Sequence, residues 1–195
     1  MNRQVIQFTT EQAWKAERVK DVTSSDISIL FGVGYNSYSE LFEAKLNGKE
    51  LPFTPNERVD WGVALEPSIS NEFARRNNWT IKPKKEYIRI PDLRIGSSFD
   101  FQIIGTDSVE ILEIKNVSFD SYKGWIKGFE VEMSPYIELQ VQHQLLVSGF
   151  ETAYVGALIA GCKGIVLRRT VNEKVQGAIL RKCAEFWNKI DRSRV

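Results

Sequence analysis

The pattern of hydrophobic and polar residues changes at Trp79. Before it, helical signals dominate: Thr9–Gln12 and Ser37–Glu40 have the spacing of capping boxes, and Thr54 and Pro55 fit the N-cap and first residue of a third helix. After it, apolar and polar residues alternate, which predicts strands over "YIRI", "SSFDFQII" and "VEILEIKNV". The turn signal "GTDS" predicts that the last two strands form a hairpin.

The later elements follow from the same signals. Ser134 and Pro135 begin a helix through "YIELQVQHQLLVSG", two strands follow over "TAYVGALIA" and "GIVLRRT", and "AILRKCAEFWNKI" predicts a closing helix. The order α, βββ, α, ββ, α predicts an α/β (α+β) fold with a mixed central β-sheet flanked by helices. Because Pro67 lacks a backbone donor and disfavours the α region for Glu66, we expect the third helix to kink or restart there.

Length and composition limit the classes of protein. The chain has 195 residues, 43% of them hydrophobic, which suits one domain over residues 1–195. Its 26 basic residues balance 25 acidic ones, so a DNA-binding surface has to be a local patch. Cys162 and Cys183 lie far apart, which favours a reducing compartment and excludes a cysteine-based zinc site. The apolar run "AYVGALIAG" is too short to span a membrane, so we expect a cytoplasmic protein without a membrane partner.

The stretch "LEIK" carries the candidate chemistry. In a strand, Glu113 and Lys115 point to one face and Ile114 to the other. Pairing across the hairpin brings Asp100 near Glu113, and clustered carboxylates repel unless a cation lies between them. Oxygen ligands favour Mg²⁺, with Mn²⁺ as a substitute, and such an ion suits phosphodiester hydrolysis. A solvated cross-strand pair is the alternative, but the apolar neighbours in "FDF" and "LEIKN" favour a site.

Four separated motifs, "WGVALE", "SFD", "LEIK" and "QVQ", resemble the lambda-exonuclease-like, YqaJ viral recombinase family of the PD-(D/E)XK nuclease superfamily. The resemblance extends from about Trp14 to the strand near Ala160 and implies a restriction-endonuclease-like core in a single nuclease domain. It implies these catalytic residues, the first three as metal ligands: Glu66, Asp100, Glu113, Lys115 and Gln140. Gln140 is the better match to the motif, and Gln142 stays open as the residue that points inward.

The segment "WKAERVKDVTSS" is similar to the family's W-x3-R-x6-S segment. The resemblance implies that Arg18 and Ser25, with Ser98 of "SFD", bind a 5′-phosphate, a role that suits a guanidinium and hydroxyl groups. Two structural alternatives stay open. Arg18 would then pair with Glu11 or Glu17 on its own helix, and Ser24 or Ser25 would cap the helix of "DISILFG".

DNA binding also needs a wider basic surface. The segment "RRNNWTIKPKK" contains no acid and one tryptophan, a composition typical of a patch that follows the phosphate backbone. A solvated helix end followed by a polar loop is the alternative. The residues predicted to contact DNA in this patch are Arg75, Arg76, Lys82, Lys84 and Lys85.

The resemblance implies a Mg²⁺-dependent 5′→3′ exonuclease that acts on double-stranded DNA ends and leaves a 3′ single-stranded tail for phage-type recombination. It also implies a ring-shaped homotrimer, a single-strand annealing recombinase as partner, and a phage or prophage gene expressed in a bacterial host. Two alternatives stay open: another PD-(D/E)XK endonuclease of restriction or junction type, and a non-catalytic DNA-binding relic. An intact set of acids and lysine argues against the relic.

Overall fold

The architecture combines two main sheets with helices on their faces. It comes from a computed structural model that describes residues 1–52, 54, 56–105, 110–127 and 130–194. The helices are α1 (Glu11–Arg18), α2 (Ile27–Leu30), α3 (Tyr38–Leu46), α4 (Glu57–Asn77), α5 (Phe119–Lys123), α6 (Pro135–Ser148) and α7 (Glu173–Arg192). The strands are β1 (Gln4–Gln7), β2 (Val22–Thr23), β3 (Thr80–Pro83), β4 (Glu86–Ile90), β5 (Ile95–Ser97), β6 (Phe101–Ile104), β7 (Glu110–Val117), β8 (Ile126–Lys127), β9 (Glu130–Val131), β10 (Thr152–Ile159) and β11 (Lys163–Thr170).

The larger sheet has the strand order β11-β10-β7-β6-β3, and the smaller has the order β1-β4-β5-β2. In the larger sheet, β7 and β10 are parallel and the other neighbours are antiparallel. The antiparallel pairing of β6 with β7 is the predicted hairpin, although Thr106–Ser108 of its predicted turn lie outside the described residues. The predicted mixed sheet flanked by helices is therefore confirmed.

The predicted strand "SSFDFQII" is wrong as a single element. It ends in the smaller sheet at Ser97 and begins again in the larger sheet at Phe101. Ser98–Asp100 form the link between the two sheets, and this link carries two of the predicted site residues. Alternation of apolar and polar residues does not reveal the break because it continues across the link.

Two hydrophobic clusters cover the two faces of β7. Ile111 belongs to the larger cluster, which includes buried residues of α6 and α7. Leu112 and Ile114 belong to the second cluster with Ile69 and Phe73 of α4. β7 is thus a central strand between α6 and α4. Among the helices of the described residues, none has both the length and the apolar character needed to cross a membrane.

The helix caps test the predicted starts. The capping box of Ser37 and Glu40 is confirmed, and Ser134 caps α6 as predicted. Thr10 caps α1 in place of Thr9, because its hydroxyl accepts a hydrogen bond from the Ala13 amide at 3.2 Å. Asn56, not Thr54, caps α4 through the Val59 amide at 3.1 Å, and Pro55 lies outside the described residues. α4 runs through Pro67 as one helix, so the predicted restart does not occur.

Candidate active site

Strand β7 places Glu113 and Lys115 on one face, as its period of two requires. Ile114 packs into the cluster on the opposite face. Glu113 is only 1% exposed, and the Lys115 Nζ donates a hydrogen bond to its Oε1 at 2.5 Å. The predicted placement of the two side chains side by side is confirmed.

Lys115 has a defined protonation state in this setting. Burial alone would lower the pKa of its ammonium group, but the carboxylates of Glu113 and Asp100 raise that pKa above its ordinary value. The side chain is therefore positively charged at neutral pH. A charged ammonium neutralises developing negative charge well and accepts a proton poorly, so this geometry favours an electrostatic role over that of a base.

Asp100 and Glu66 approach Glu113 from two other elements. The Asp100 carboxylate lies in the link between the sheets and accepts a hydrogen bond from the Ile114 amide at 2.8 Å. Burial raises the Asp100 pKa well above its usual value, and Glu113 and Glu66 raise it further. The pKa of Glu66, on α4, is also raised, by burial and then by Glu113. These three acids, called here the carboxylate site, are close enough to interact electrostatically.

The carboxylate site has the donor chemistry of a Mg²⁺ site without a preassembled set of ligands. Carboxylate oxygens are the ligands that Mg²⁺ and Mn²⁺ prefer, and a divalent cation would relieve the repulsion that raises the Asp100 pKa. Within the described ranges, however, no three His, Cys, Asp or Glu side chains converge as metal ligands. Hydrogen bonds from three neighbours engage both Glu113 oxygens instead. The residue types fit the ion, and Glu113 is held by hydrogen bonds from within the protein.

On helix α6, one of the two glutamines of "QVQ" reaches the carboxylate site. The Gln140 Nε2 donates a hydrogen bond to Glu113 Oε1 at 2.6 Å. Gln142 points elsewhere, since its Nε2 donates to the Thr170 carbonyl at 2.9 Å and its Oε1 accepts from the Asn172 amide at 2.9 Å. The preference for Gln140 over Gln142 agrees with this geometry.

Gln144 is a site residue that the sequence analysis missed. Its Nε2 donates to Glu113 Oε2 at 2.8 Å and to the Ser98 carbonyl at 3.2 Å. The signal was its spacing of four residues from Gln140, which places both side chains on the same helix face. Together the two glutamines hold both oxygens of one buried carboxylate.

A second cluster contains Arg18, Ser25 and Ser98, called here the arginine–serine pocket. The Arg18 guanidinium donates to Ser25 Oγ at 3.0 Å and to Ser98 Oγ at 3.4 Å. It also lies 4.4 Å from the centre of the Trp14 ring, and the Trp14 Nε1 donates to Ser98 Oγ at 2.8 Å. A fixed guanidinium beside two hydroxyl groups matches the geometry and charge of a phosphate. Ser98 is two residues before Asp100, so the pocket adjoins the carboxylate site.

The structural alternatives for Arg18 and Ser25 do not match the observed contacts. Glu11 forms its ion pair with Lys15, and Glu17 pairs with Lys20 and Arg89. The N-cap of α2 is Asp26 rather than Ser25, whose hydroxyl instead contacts Arg18 and lies 2.9 Å from the Thr23 hydroxyl. The structure therefore brings together Arg18 and Ser25, the two side chains that the family resemblance assigned to one site.

A buried ion pair supports the arginine–serine pocket from behind. The Lys45 Nζ of α3 lies 3.0 Å from Asp26 Oδ2 and donates to the Arg18 carbonyl at 3.1 Å. Asp26 also accepts a hydrogen bond from the Thr23 amide at 3.0 Å. Burial opposes ionisation of Asp26, but Lys45, the Thr23 amide and Arg18 together lower its pKa below the ordinary value. The pair fixes the backbone on both sides of the pocket.

The predicted basic patch is only partly available to DNA. Lys84 is buried and ion-paired with Glu86, so its position does not suit the predicted DNA contact. Arg75 and Arg76 pair with Glu72 in exposed contacts, which contribute little stability and can exchange for a phosphate. Lys82 and Lys85 are exposed. The aromatic residue of the patch, Trp79, packs 4.7 Å from the Tyr154 ring.

Comparison with solved structures identifies the fold. LHK-Exo, an alkaline exonuclease from Laribacter hongkongensis, matches with a TM-score of 0.74 at 17% identity over 93% of each chain. A phage-related exonuclease from Haemophilus somnus 129PT matches with a TM-score of 0.59 at 10% identity, covering 97% of this chain and 92% of that one. At these identities the likeness concerns the fold alone.

Comparison of sequences identifies the family. The uncharacterized protein YqaJ of Bacillus subtilis (strain 168) is 31% identical over 179 residues, which cover 90% of this chain and 54% of the relative. This chain thus spans about half the length of that protein. The family model of the YqaJ-like viral recombinase domain matches residues 13–151, a range that contains both clusters described above. The chain belongs to the YqaJ-like viral recombinase domain family.

Proposed function

We propose that this protein is a Mg²⁺-dependent 5′→3′ exonuclease that degrades one strand of linear double-stranded DNA and leaves a 3′ single-stranded tail for phage-type recombination. The observation that carries this proposal is the junction of the arginine–serine pocket with the carboxylate site through Ser98 and Asp100. A pocket for a terminal phosphate beside a group of acids and a lysine suits an enzyme that starts at a 5′ end.

The arginine–serine pocket would select the DNA end. The Arg18 guanidinium presents two nitrogens toward the hydroxyl groups of Ser25 and Ser98, and these three groups can bind a phosphate together. Trp14 holds the guanidinium and Ser98 in place. A 5′-phosphate carries more negative charge than an internal phosphodiester, so a fixed cation discriminates in favour of the end.

The carboxylate site would perform the hydrolysis. Asp100, Glu113 and Glu66 are the residues that would hold Mg²⁺, or Mn²⁺ in its place, and the bound ion would act as a Lewis acid and lower the pKa of a water molecule. Lys115, positively charged beside Glu113, stabilises negative charge that develops on the phosphate. Gln140 keeps the Glu113 carboxylate oriented.

The comparisons support the same proposal at a coarser level. LHK-Exo and the Haemophilus somnus protein are exonucleases by name, and the family takes its description from viral recombinases. A further neighbour is a SOX–DNA complex, which supports DNA as the ligand. A ring-shaped homotrimer that encloses DNA, and a single-strand annealing recombinase as partner, complete the proposal.

The testing experiment compares linear duplex DNA with the same DNA as a closed circle. Each substrate is incubated with Mg²⁺ or with EDTA, and the linear form carries 5′-phosphate or 5′-hydroxyl ends. We expect Mg²⁺-dependent loss of the linear form alone, faster with 5′-phosphate. Nicking of the circle would support a PD-(D/E)XK endonuclease, and intact DNA with both Mg²⁺ and Mn²⁺ would support a non-catalytic DNA-binding protein.

A further inference from the structure

Gln144 lies between the carboxylate site and the arginine–serine pocket. It lies on α6 one turn beyond Gln140 and is 1% exposed. Its side chain reaches Glu113 on β7 of the larger sheet and Ser98 in the link between the sheets. A single amide group therefore contacts a member of the carboxylate site and a member of the arginine–serine pocket.

The orientation of this amide is determined by its partners. Both contacts, with Glu113 Oε2 at 2.8 Å and the Ser98 carbonyl at 3.2 Å, are acceptors, so only the NH₂ end of Gln144 satisfies them. A flipped amide would place its oxygen against a carboxylate and a carbonyl. The Gln144 Oε1 is buried and lacks a hydrogen-bond partner among the described residues, a cost that the two donated bonds offset.

We propose that Gln144 is a positioning residue that couples recognition of the 5′-phosphate to the geometry of the metal ligand Glu113. The inference rests on the proposed nuclease function. The bond to Glu113 fixes one carboxylate oxygen, and the bond to Ser98 fixes the backbone two residues before Asp100. Mutation of groups that form hydrogen bonds to metal ligands typically lowers metal affinity or activity by about 10- to 100-fold.

The neighbouring glutamines provide matched comparisons on the same helix. Gln140 contacts Glu113 but has no described contact with Ser98, so it contacts the carboxylate site and not the arginine–serine pocket. Gln142 is as buried as Gln144, at 1% exposure, and makes its hydrogen bonds to Glu138, Thr170 and Asn172 away from both clusters. Substitution by methionine nearly preserves side-chain length at each position and removes the amide.

The experiment measures three quantities for Gln140→Met, Gln142→Met and Gln144→Met in the full chain. These are Mn²⁺ affinity by electron paramagnetic resonance, the ratio of cleavage rates on 5′-phosphoryl and 5′-hydroxyl ends, and the thermal unfolding midpoint. Gln144→Met is expected to weaken Mn²⁺ binding about 10- to 100-fold and to bring the end ratio toward one. Gln140→Met weakens Mn²⁺ binding but preserves the end ratio, and Gln142→Met changes the unfolding midpoint alone.

Other outcomes contradict the inference. If Gln144→Met keeps both the Mn²⁺ affinity and the end ratio of the wild type, or if Gln142→Met loses them equally, Gln144 is a core residue without a positioning role. Gln144→Asn retains the amide at shorter reach and provides the measurement if Gln144→Met does not fold. Failure of the wild-type protein to bind Mn²⁺ or cleave DNA would contradict the proposed function itself, which separates the two results.

Discussion

At the scale of single residues, Glu113 is the centre of the candidate site. Lys115 and Gln140 donate to one of its oxygens and Gln144 to the other. A buried carboxylate is stable only when its charge is compensated by such partners. The carboxylates of Glu113 and Asp100 in turn raise the pKa of Lys115, which keeps the lysine positively charged at neutral pH.

Replacement of Lys115 tests its electrostatic role. Because its charge is needed mainly when negative charge develops on the phosphate, Lys115→Ala should lower kcat by roughly 10²–10³-fold. DNA binding by fluorescence anisotropy and folding by circular dichroism should be retained. Lys163→Ala, at a strand lysine that donates to Tyr122 outside the site, serves as the control. Loss of folding in Lys115→Ala alone would indicate a purely structural pair.

Replacement of Arg18 tests the arginine–serine pocket. Arg18→Ala should abolish the preference for 5′-phosphoryl over 5′-hydroxyl ends, a loss of roughly 10- to 100-fold in the rate ratio if the guanidinium contributes about 1.5–3 kcal/mol. Arg94→Ala is a matched control, since Arg94 also lies over a tryptophan, 4.0 Å from the Trp187 ring, outside the site. An unchanged end preference in Arg18→Ala would exclude Arg18 from phosphate binding.

His143 gives a prediction about acid stability. Burial lowers its pKa from 6.5 to about 4, with Asp26 opposing the shift, and its Nδ1 lies 3.0 Å from the Ser97 hydroxyl. The unfolded chain therefore binds a proton at a higher pH than the folded chain does. The contribution of neutral His143 to the free energy of unfolding is fully present above pH 6.5. About 3 kcal/mol of it is lost as the pH falls toward 4.

The measurement is urea unfolding of the wild type and of His143→Asn at pH 7 and pH 4.5. Asparagine keeps a polar group near the Ser97 hydroxyl but does not titrate. The difference in the free energy of unfolding between the two proteins should therefore shrink or reverse at the lower pH. The pH effects of the other titrating groups are common to both proteins and cancel in this difference. An equal difference at both pH values would contradict a neutral buried His143.

The sequence predicts residues of the site unequally. Glu113 and Lys115 follow from strand periodicity, and the seven-residue separation of Arg18 and Ser25 comes from the resemblance to the family. Gln144 was overlooked although its spacing of four residues from Gln140 places both side chains on one helix face. The Asp26–Lys45 pair escapes prediction because its two members lie in different elements. Hydrogen bonds between distant residues leave no local pattern in a single chain.

At the scale of elements, α3 serves the arginine–serine pocket through Lys45. The buried Lys45–Asp26 pair joins α3 to the start of α2 and to the Arg18 carbonyl. Removing one member of a buried pair leaves an uncompensated charge, whereas replacing both with apolar or neutral groups costs much less. This asymmetry allows the structural role of the pair to be measured.

Substitution of the pair provides a prediction for this element. Lys45→Met should lower the free energy of unfolding by about 3–5 kcal/mol, and the double variant Lys45→Met with Asp26→Asn should recover part of that loss. Urea denaturation of the wild type, both single variants and the double variant gives the coupling energy. Additive effects of the two substitutions would show that the pair contributes no interaction of its own.

Elements with strong local signals were predicted, and short ones were not. The capping box of Ser37 and Glu40 and the Ser134 cap identify α3 and α6. The strands β1 and β2 were missed because two to four residues carry too little periodicity and pair with strands far along the chain. The segment between β7 and α6, for which the sequence predicted no helix or strand, contains the short elements α5, β8 and β9.

At the scale of the whole molecule, the passage of the chain between two sheets explains where the site forms. Ser98–Asp100 connect the smaller sheet to the larger one, so these three residues belong to neither sheet. α6 packs near this link and supplies Gln140 and Gln144. The resemblance implied that Glu66, Asp100, Glu113 and Gln140 lie together, as they do in the structure, but it did not indicate that two sheets meet there.

The most direct test uses a linear duplex with a 5′-phosphate on one strand and 5′-hydroxyl on the other, incubated with Mg²⁺ and analysed by strand-specific labels over time. If the proposed function is correct, the phosphorylated strand disappears progressively from its 5′ end, while the complementary strand persists and EDTA stops the reaction. Loss of both strands at equal rates, degradation from 3′ ends, or internal cuts without end dependence would contradict it.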